Sequence, residues 1–138
     1  MSGDGFAIRP VGVLRSRLTH LDAAPRQGDE GGSEAWIELD PGVARAAADL
    51  SAGDEILVLT WLHRADRDVL EVRPRGNPKA ALTGVFATRS PDRPNPIGLH
   101  RVTVLEIDGT RIKVAPIETI DGTPVVDLKP VLGDPADR

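Results

Sequence analysis

Glycine and proline break this chain about every eight to twelve residues, and short β-prone apolar runs lie between the breaks. Few stretches are long enough for a helix. The pattern predicts an all-β, mainly antiparallel fold, a small β-barrel of about seven to eight strands with one short helix. Phe6–Ser16 is expected as the first strand, with Ile8, Val11, Val13 and Leu14 facing the core. Pro10 within it argues for an edge position or a bulge. Ala35–Leu39 alternates like a half-buried strand, and Asp40-Pro41 then supplies an N-cap and a first helical residue for a helix running to Leu50. Glu55–His63 is nearly continuously apolar and predicts a central strand. Further strands are expected at Val69–Arg73, Thr83–Thr88, Leu99–Ile107 and Arg111–Ile117, and a last one ends at Pro130. Arg17–Glu34 reads as a long polar loop, and loops of this length in compact domains are usually functional or disordered.

The 138 residues suit one domain, residues 1–138, with flexible tails expected at 1–5 and 133–138. No apolar run approaches the roughly 18 residues that span a bilayer. Met1–Gly5 lacks the basic-then-apolar pattern of a signal peptide, and a cytoplasmic location is expected. Cysteine is absent, which excludes disulfides and thiolate metal sites. The histidines His20, His63 and His100 have no zinc-site spacing, so no metal is expected. There is no βαβ rhythm and no GxGxxG, so a nucleotide-like cofactor would not sit on a Rossmann fold. The net charge of −4 argues against strong nonspecific nucleic-acid binding. The charge is uneven, however. Residues 1–63 hold five bases and ten acids, whereas Arg64–Arg101 holds eight bases and four acids. That segment is either scatter or a local patch for an anionic ligand.

Thr88–Gly98 reads TRSPDRPNPIG. Ser90, Arg93 and Asn95 each precede a proline and are biased to extended conformations. Such a segment is a stiff loop that loses little entropy when a ligand orders it. Arg89 and Arg93 offer guanidinium donors, and Asn95 both donates and accepts. The bland alternative is a rigid turn whose arginines pair with acids such as Asp92.

Four segments in order resemble one family. GVFATRSPDRPNPIG is similar to the signature of the TrmO (TsaA-like) family of S-adenosylmethionine-dependent methyltransferases. VGVLRS at 11–16, APRQG at 24–28 and DGTPVVDLKP at 121–130 are similar to its other motifs. The resemblance implies a β-barrel homodimer that binds S-adenosylmethionine outside any Rossmann site. It also implies N6-methylation of threonylcarbamoyladenosine beside the anticodon of certain tRNAs. It suggests a donor site drawn from Arg26, Gln27, Phe86, Arg89, Arg93, Asn95, Asp127, Leu128 and Lys129. Arg89 or Arg93 would meet the donor carboxylate, and Phe86, Trp61 or backbone groups would line the adenine. Asp127 would take the amine or ribose, or else cap a turn. Lys129 would hold a carboxylate or a phosphate, or stay solvated. The Arg26–Gln27 loop is the first candidate to complete a partner's site.

Methyl transfer demands in-line alignment and exclusion of water. A group that takes the acceptor's proton would assist, and Asp127, His63 and His100 are the catalytic candidates. Two departures bear on the acceptor. His100 stands where the tRNA-modifying members carry serine after the signature loop, and Lys129-Pro130 is followed by Val131 rather than tyrosine. The longer members also carry a further C-terminal domain. Alternatives to tRNA are a small-molecule acceptor, or a non-catalytic module that binds S-adenosylmethionine.

Overall fold

A computed structural model describes residues 5–17 and 33–133. Its eight strands are β1 (Gly12–Arg15), β2 (Ala35–Leu39), β3 (Glu55–Trp61), β4 (Glu71–Val72), β5 (Thr83–Gly84), β6 (Ile97–Asp108), β7 (Arg111–Ala115) and β8 (Pro124–Pro130). Six close into a barrel in the order β1-β2-β7-β6-β3-β8, and β4 and β5 pair as a separate two-stranded sheet. Every pairing is antiparallel. The all-β, mainly antiparallel class read from the turn spacing is the observed one. Among the described residues, no helix is long and apolar enough to cross a membrane.

Strand alternation builds the interior. Ala35, Ile37 and Leu39 of β2 point inward, as do Ile56, Val58 and Thr60 of β3. Val102 and Val104 of β6, Ile112 and Val114 of β7, Leu14 of β1 and Val125 of β8 complete the core. Burying each of these aliphatic side chains is worth about 1.5–3 kcal/mol. Asp40 caps a 3-10 helix, Pro41–Ala47, through a 3.0 Å hydrogen bond from the Gly42 amide. Ala47 and the following Leu50 pack against the core.

Several expected boundaries move. The first strand covers only Gly12–Arg15, and Ile8 is exposed rather than core. The edge anticipated from Pro10 does not leave the barrel open, because β1 pairs β8 through Gly12 and Val13. The expected strands at Val69–Arg73 and Thr83–Thr88 shrink to two residues each, with 3-10 turns at Pro74–Gly76 and Val85–Ala87. Pro74 ends β4 by removing a donor and fixing φ. The sixth strand begins earlier, at Ile97, so the motif's last residues enter the barrel. Leu99 of this strand faces out. The expected helix is a 3-10 helix.

Two bulges interrupt the ladders. One falls between Val104 and Glu106 against β7. The other shifts the β3–β8 register between Leu59 and Thr60, which face Asp127 and Val125 and so leave Val126 unpaired. Bulges re-aim side chains near functional sites, and this one stands beside the signature loop.

Candidate functional site

The loop that connects β5 to β6 is held by its own side chains and by a neighbouring loop. The Thr88 hydroxyl donates to the Val85 carbonyl at 3.0 Å and accepts from the Ser90 amide at 3.2 Å. The Ser90 hydroxyl accepts from the Asp92 amide. The Asp66 amide donates to an Asp92 carboxylate oxygen at 2.8 Å, and the Arg93 amide donates to the Asp66 carbonyl at 3.1 Å. The Leu62 amide donates to the Pro96 carbonyl at 2.8 Å. Loops 62–68 and 88–96 are therefore zipped together at the end of the barrel where β3 stops and β6 starts.

The two arginines of the motif separate. Arg93 turns its Nη2 onto the carbonyls of Val85 and Thr88, and its buried Nε has no hydrogen-bond partner among the described residues. It buttresses the loop. Arg89 is exposed beside Ser90. A third arginine was not anticipated as part of the site. Arg67 donates from Nε to the Pro94 carbonyl at 2.7 Å and from Nη2 to Asn95 Oδ1 at 2.9 Å. Its guanidinium also lies over the Trp61 ring, 5.1 Å from the centroid. With Oδ1 engaged, Asn95 presents its amide NH2 as the remaining donor.

The loop is a wall between two concavities. One, of about 670 Å³, is lined by Phe6, Ile8, Trp61, Arg67, Asn95 and Ile97, with Val126 from the bulge. The other, of about 350 Å³, is lined by Arg89, Ser90, Arg93, Leu99 and His100. Ile97 borders both. The His100 ring points toward the barrel interior, with Nε2 2.9 Å from the Thr60 hydroxyl. Burial pushes the imidazole below its ordinary value of 6.5, so it is neutral near pH 7. Gly98 makes the arrangement possible, because a Cβ there would collide with Thr60 Oγ1 and lie 2.8 Å from His100 Nε2.

Other candidates from the sequence lie elsewhere. His63 is exposed on a separate cleft with Pro91, Asp92 and Glu118. Asp127, Leu128 and Lys129 border a hollow of about 180 Å³ under the 3-10 helix with Val43, Leu50 and Ile56. Asp127 accepts from the Leu128 amide at 2.8 Å and sits 3.4 Å from the Lys129 ammonium. Across the ladders Asp127 faces Leu59, and Leu59 faces Leu99, so β3 separates Asp127 from the signature loop, whereas Pro124 and Val126 of the same closing motif line the larger concavity with Asn95 and Ile97. Phe86 is 88 % exposed and lines neither concavity. Arg26 and Gln27 lie outside the described residues.

The signals for the missed residues were present but easy to pass over. Thr60 is a polar residue at an inward position of an apolar strand, and Gly98 is a glycine inside a strand, which marks close approach. Arg67 gave no sequence signal beyond its place in the basic segment.

The signature loop, the barrel and their order along the chain match a known family. The family model described as tRNA-methyltransferase O N-terminal domain matches residues 13–135. The chain belongs to this family. Among its relatives, a probable S-adenosyl-L-methionine-binding protein of Methanothermobacter thermautotrophicus is 44% identical over 134 residues, covering 97% of this chain and 96% of the relative. An S-adenosyl-L-methionine-binding protein of Archaeoglobus fulgidus is 39% identical, covering 88% of this chain and 86% of the relative. Among solved structures, a TrmO superposes with a TM-score of 0.76 at 30% identity, covering 96% of this chain. A TrmO from Pseudomonas aeruginosa gives 0.74 at 29% and covers 98%. This TrmO-family chain spans 57% and 60% of those two solved chains.

Proposed function

We propose that this chain is an S-adenosylmethionine-dependent methyltransferase acting on tRNA, with N6 of threonylcarbamoyladenosine beside the anticodon as the acceptor. The observation that carries the reading is the preordered signature loop, which divides two concavities in a member of the tRNA-methyltransferase O family. The residues present fit the donor. Trp61, Phe6 and Ile97 offer an apolar wall for a purine, and the Asn95 amide, fixed by Arg67, offers a directed donor to it. Among the described residues Arg89 has no ion-pair partner, and its guanidinium is offered to a carboxylate. S-adenosylmethionine supplies an activated methyl group on a sulfonium centre. Arg93 and Arg67 keep the loop rigid, so binding loses little chain entropy. His100 is neutral and borders the smaller concavity, which fits a group that takes the proton from the acceptor's N–H. Asp127 and Lys129 stand apart from this wall within one chain and form a second group of contacts in the proposal.

A homodimer in the cytoplasm belongs to the same reading. Leu57 and Leu59 are only half-buried on the outside of β3, beside the exposed Ile97 and Leu99 of β6. That apolar strip is a face that a second copy would cover.

A second reading is donor binding with a small-molecule acceptor or with no transfer. It is favoured by relatives whose names stop at S-adenosylmethionine binding and which match this chain over nearly their whole length. One experiment separates the readings. The protein is incubated with methyl-labelled S-adenosylmethionine and total tRNA, then with a metabolite extract, and labelled nucleosides are resolved after digestion. Label in tRNA supports the first reading. Label confined to small molecules, or to nothing, removes it.

A further inference from the structure

The small sheet of β4 and β5 projects from the barrel as a flap, and neither concavity beside the signature loop uses its tip. From Val69 to Thr88 the sequence holds three bases, Arg73, Arg75 and Lys79, against one acid, Glu71, in a chain whose net charge is −4. Among the described residues, Arg75 and Lys79 have no ion-pair partner.

The tip is ordered by its own hydrogen bonds. Arg73 donates to the Ala80 carbonyl at 2.7 Å, and the Lys79 amide donates to Asn77 Oδ1 at 2.9 Å. The Gly76 and Asn77 amides donate to Arg73 and Pro74 carbonyls at 3.0 and 3.2 Å. Pro74 and Pro78 stiffen it further. Arg75 sits in this turn with φ +58°, a conformation that favours glycine or asparagine. The turn thus holds a long cation where a smaller residue would be more comfortable. At the base of the flap Phe86 is 88 % exposed, three residues before Arg89.

We propose that this flap grips an RNA substrate, with Arg75 and Lys79 on the phosphate backbone and Phe86 stacked on an unpaired nucleobase. The inference rests on the tRNA reading above and assigns the surface that reading needs. Two uncompensated cations on a rigid tip complement a polyanion, and an exposed aromatic complements a splayed base. Protein interface centres instead shed charge. The platform adjoins the signature loop and the cations lie farther out. A gripped strand would thus bring an unpaired base toward the methyl-donor site.

The test is anisotropy titration of a synthetic RNA stem-loop, and of the same RNA annealed as a continuous duplex, over a range of salt. The wild type is compared with Arg75→Asn/Lys79→Ser and with Phe86→Ala. Asparagine tolerates the positive φ, so the first variant keeps the turn. The expected result is a salt slope shallower by about 1.4 to 1.8 for the double variant, two phosphate contacts at roughly 0.7–0.9 each. Phe86→Ala should weaken the stem-loop by about fivefold or more and leave the duplex unchanged. S-adenosylmethionine binding, measured by calorimetry, should be the same in all three proteins. Loss of donor binding in the wild type would overturn the tRNA reading itself. Unchanged RNA affinity and slope in the variants would overturn the grip alone. So would dissociation of a dimer by Phe86→Ala with RNA affinity intact, since it would place Phe86 at a protein interface.

Discussion

Thr60 and His100 meet at 2.9 Å across the β3–β6 ladder, directly over a glycine that leaves room for both. This pair is where the barrel core opens toward the signature loop, and it gives that end of the molecule a proton-sensitive element. An unfolded chain protonates the ring below its ordinary value of 6.5, while the buried ring in the folded chain resists. The contribution of His100 to stability is therefore fully present above about pH 6.5 and is lost as the pH drops below it, until the lower folded value is reached. Urea unfolding of the wild type and of His100→Asn between neutral and mildly acid pH measures the effect. The variant should lose part of the acid slope, and superimposable slopes would remove His100 as its source.

Gly98→Ala pushes a methyl group into Thr60 Oγ1 and the His100 ring. Overpacking of this kind costs about 1–3 kcal/mol. Thermal unfolding should show the loss, and Gly98→Ala/Thr60→Ala should recover part of it. An unchanged Tm in the single variant would mean that the strands part easily here.

Arg93 and Arg89 should behave differently. Arg93→Ala strips the Thr88 carbonyl of its guanidinium donor and leaves the Val85 carbonyl only its Thr88 donors, a cost of about 1–3 kcal/mol, and should lower Tm and donor affinity together. Arg89→Ala should lower donor affinity and leave Tm alone. Scanning both variants by thermal unfolding and calorimetry decides it. Equal behaviour of the two would contradict the division into buttress and contact.

Arg67 holds Pro94 and Asn95 by hydrogen bonds while its guanidinium lies over Trp61. Arg67→Lys keeps the charge but cannot hold Pro94 and Asn95 together while lying over Trp61. Donor affinity should fall about tenfold, near 1.4 kcal/mol. Asn95→Asp should fall further, because it removes the directed NH2 donor. Lysine supporting full affinity would show that charge alone suffices.

The barrel was legible because its cause is local. Alternation in Ala35–Leu39 and Glu55–Trp61, and the Asp108-Gly109 turn, follow from neighbouring residues alone. Strand lengths were not, because pairing partners set them. Thr83–Thr88 looks as β-prone as Ala35–Leu39, yet among the described residues it pairs only with the two-residue β4, and it turns into a 3-10 bend after Gly84. The signature loop was legible as rigid from its prolines. Which of its arginines is left exposed was not, since Arg93 is claimed by carbonyls five and eight residues away. The closing motif is grouped with that loop by family pattern; strand register places its Asp127–Pro130 half across β3, while Pro124 and Val126 share a concavity with Asn95. Arg67 reaches the loop across 28 residues of sequence, a contact that no local pattern encodes.

The most direct measurement is a calorimetric titration of S-adenosylmethionine into the wild-type protein and into Arg89→Ala. The predicted result is saturable binding by the wild type and a loss of about tenfold or more in the variant, with folding intact. Absence of binding by the wild type, or equal affinity in the two proteins, would contradict the assignment of Thr88–Gly98 as the wall of a methyl-donor site.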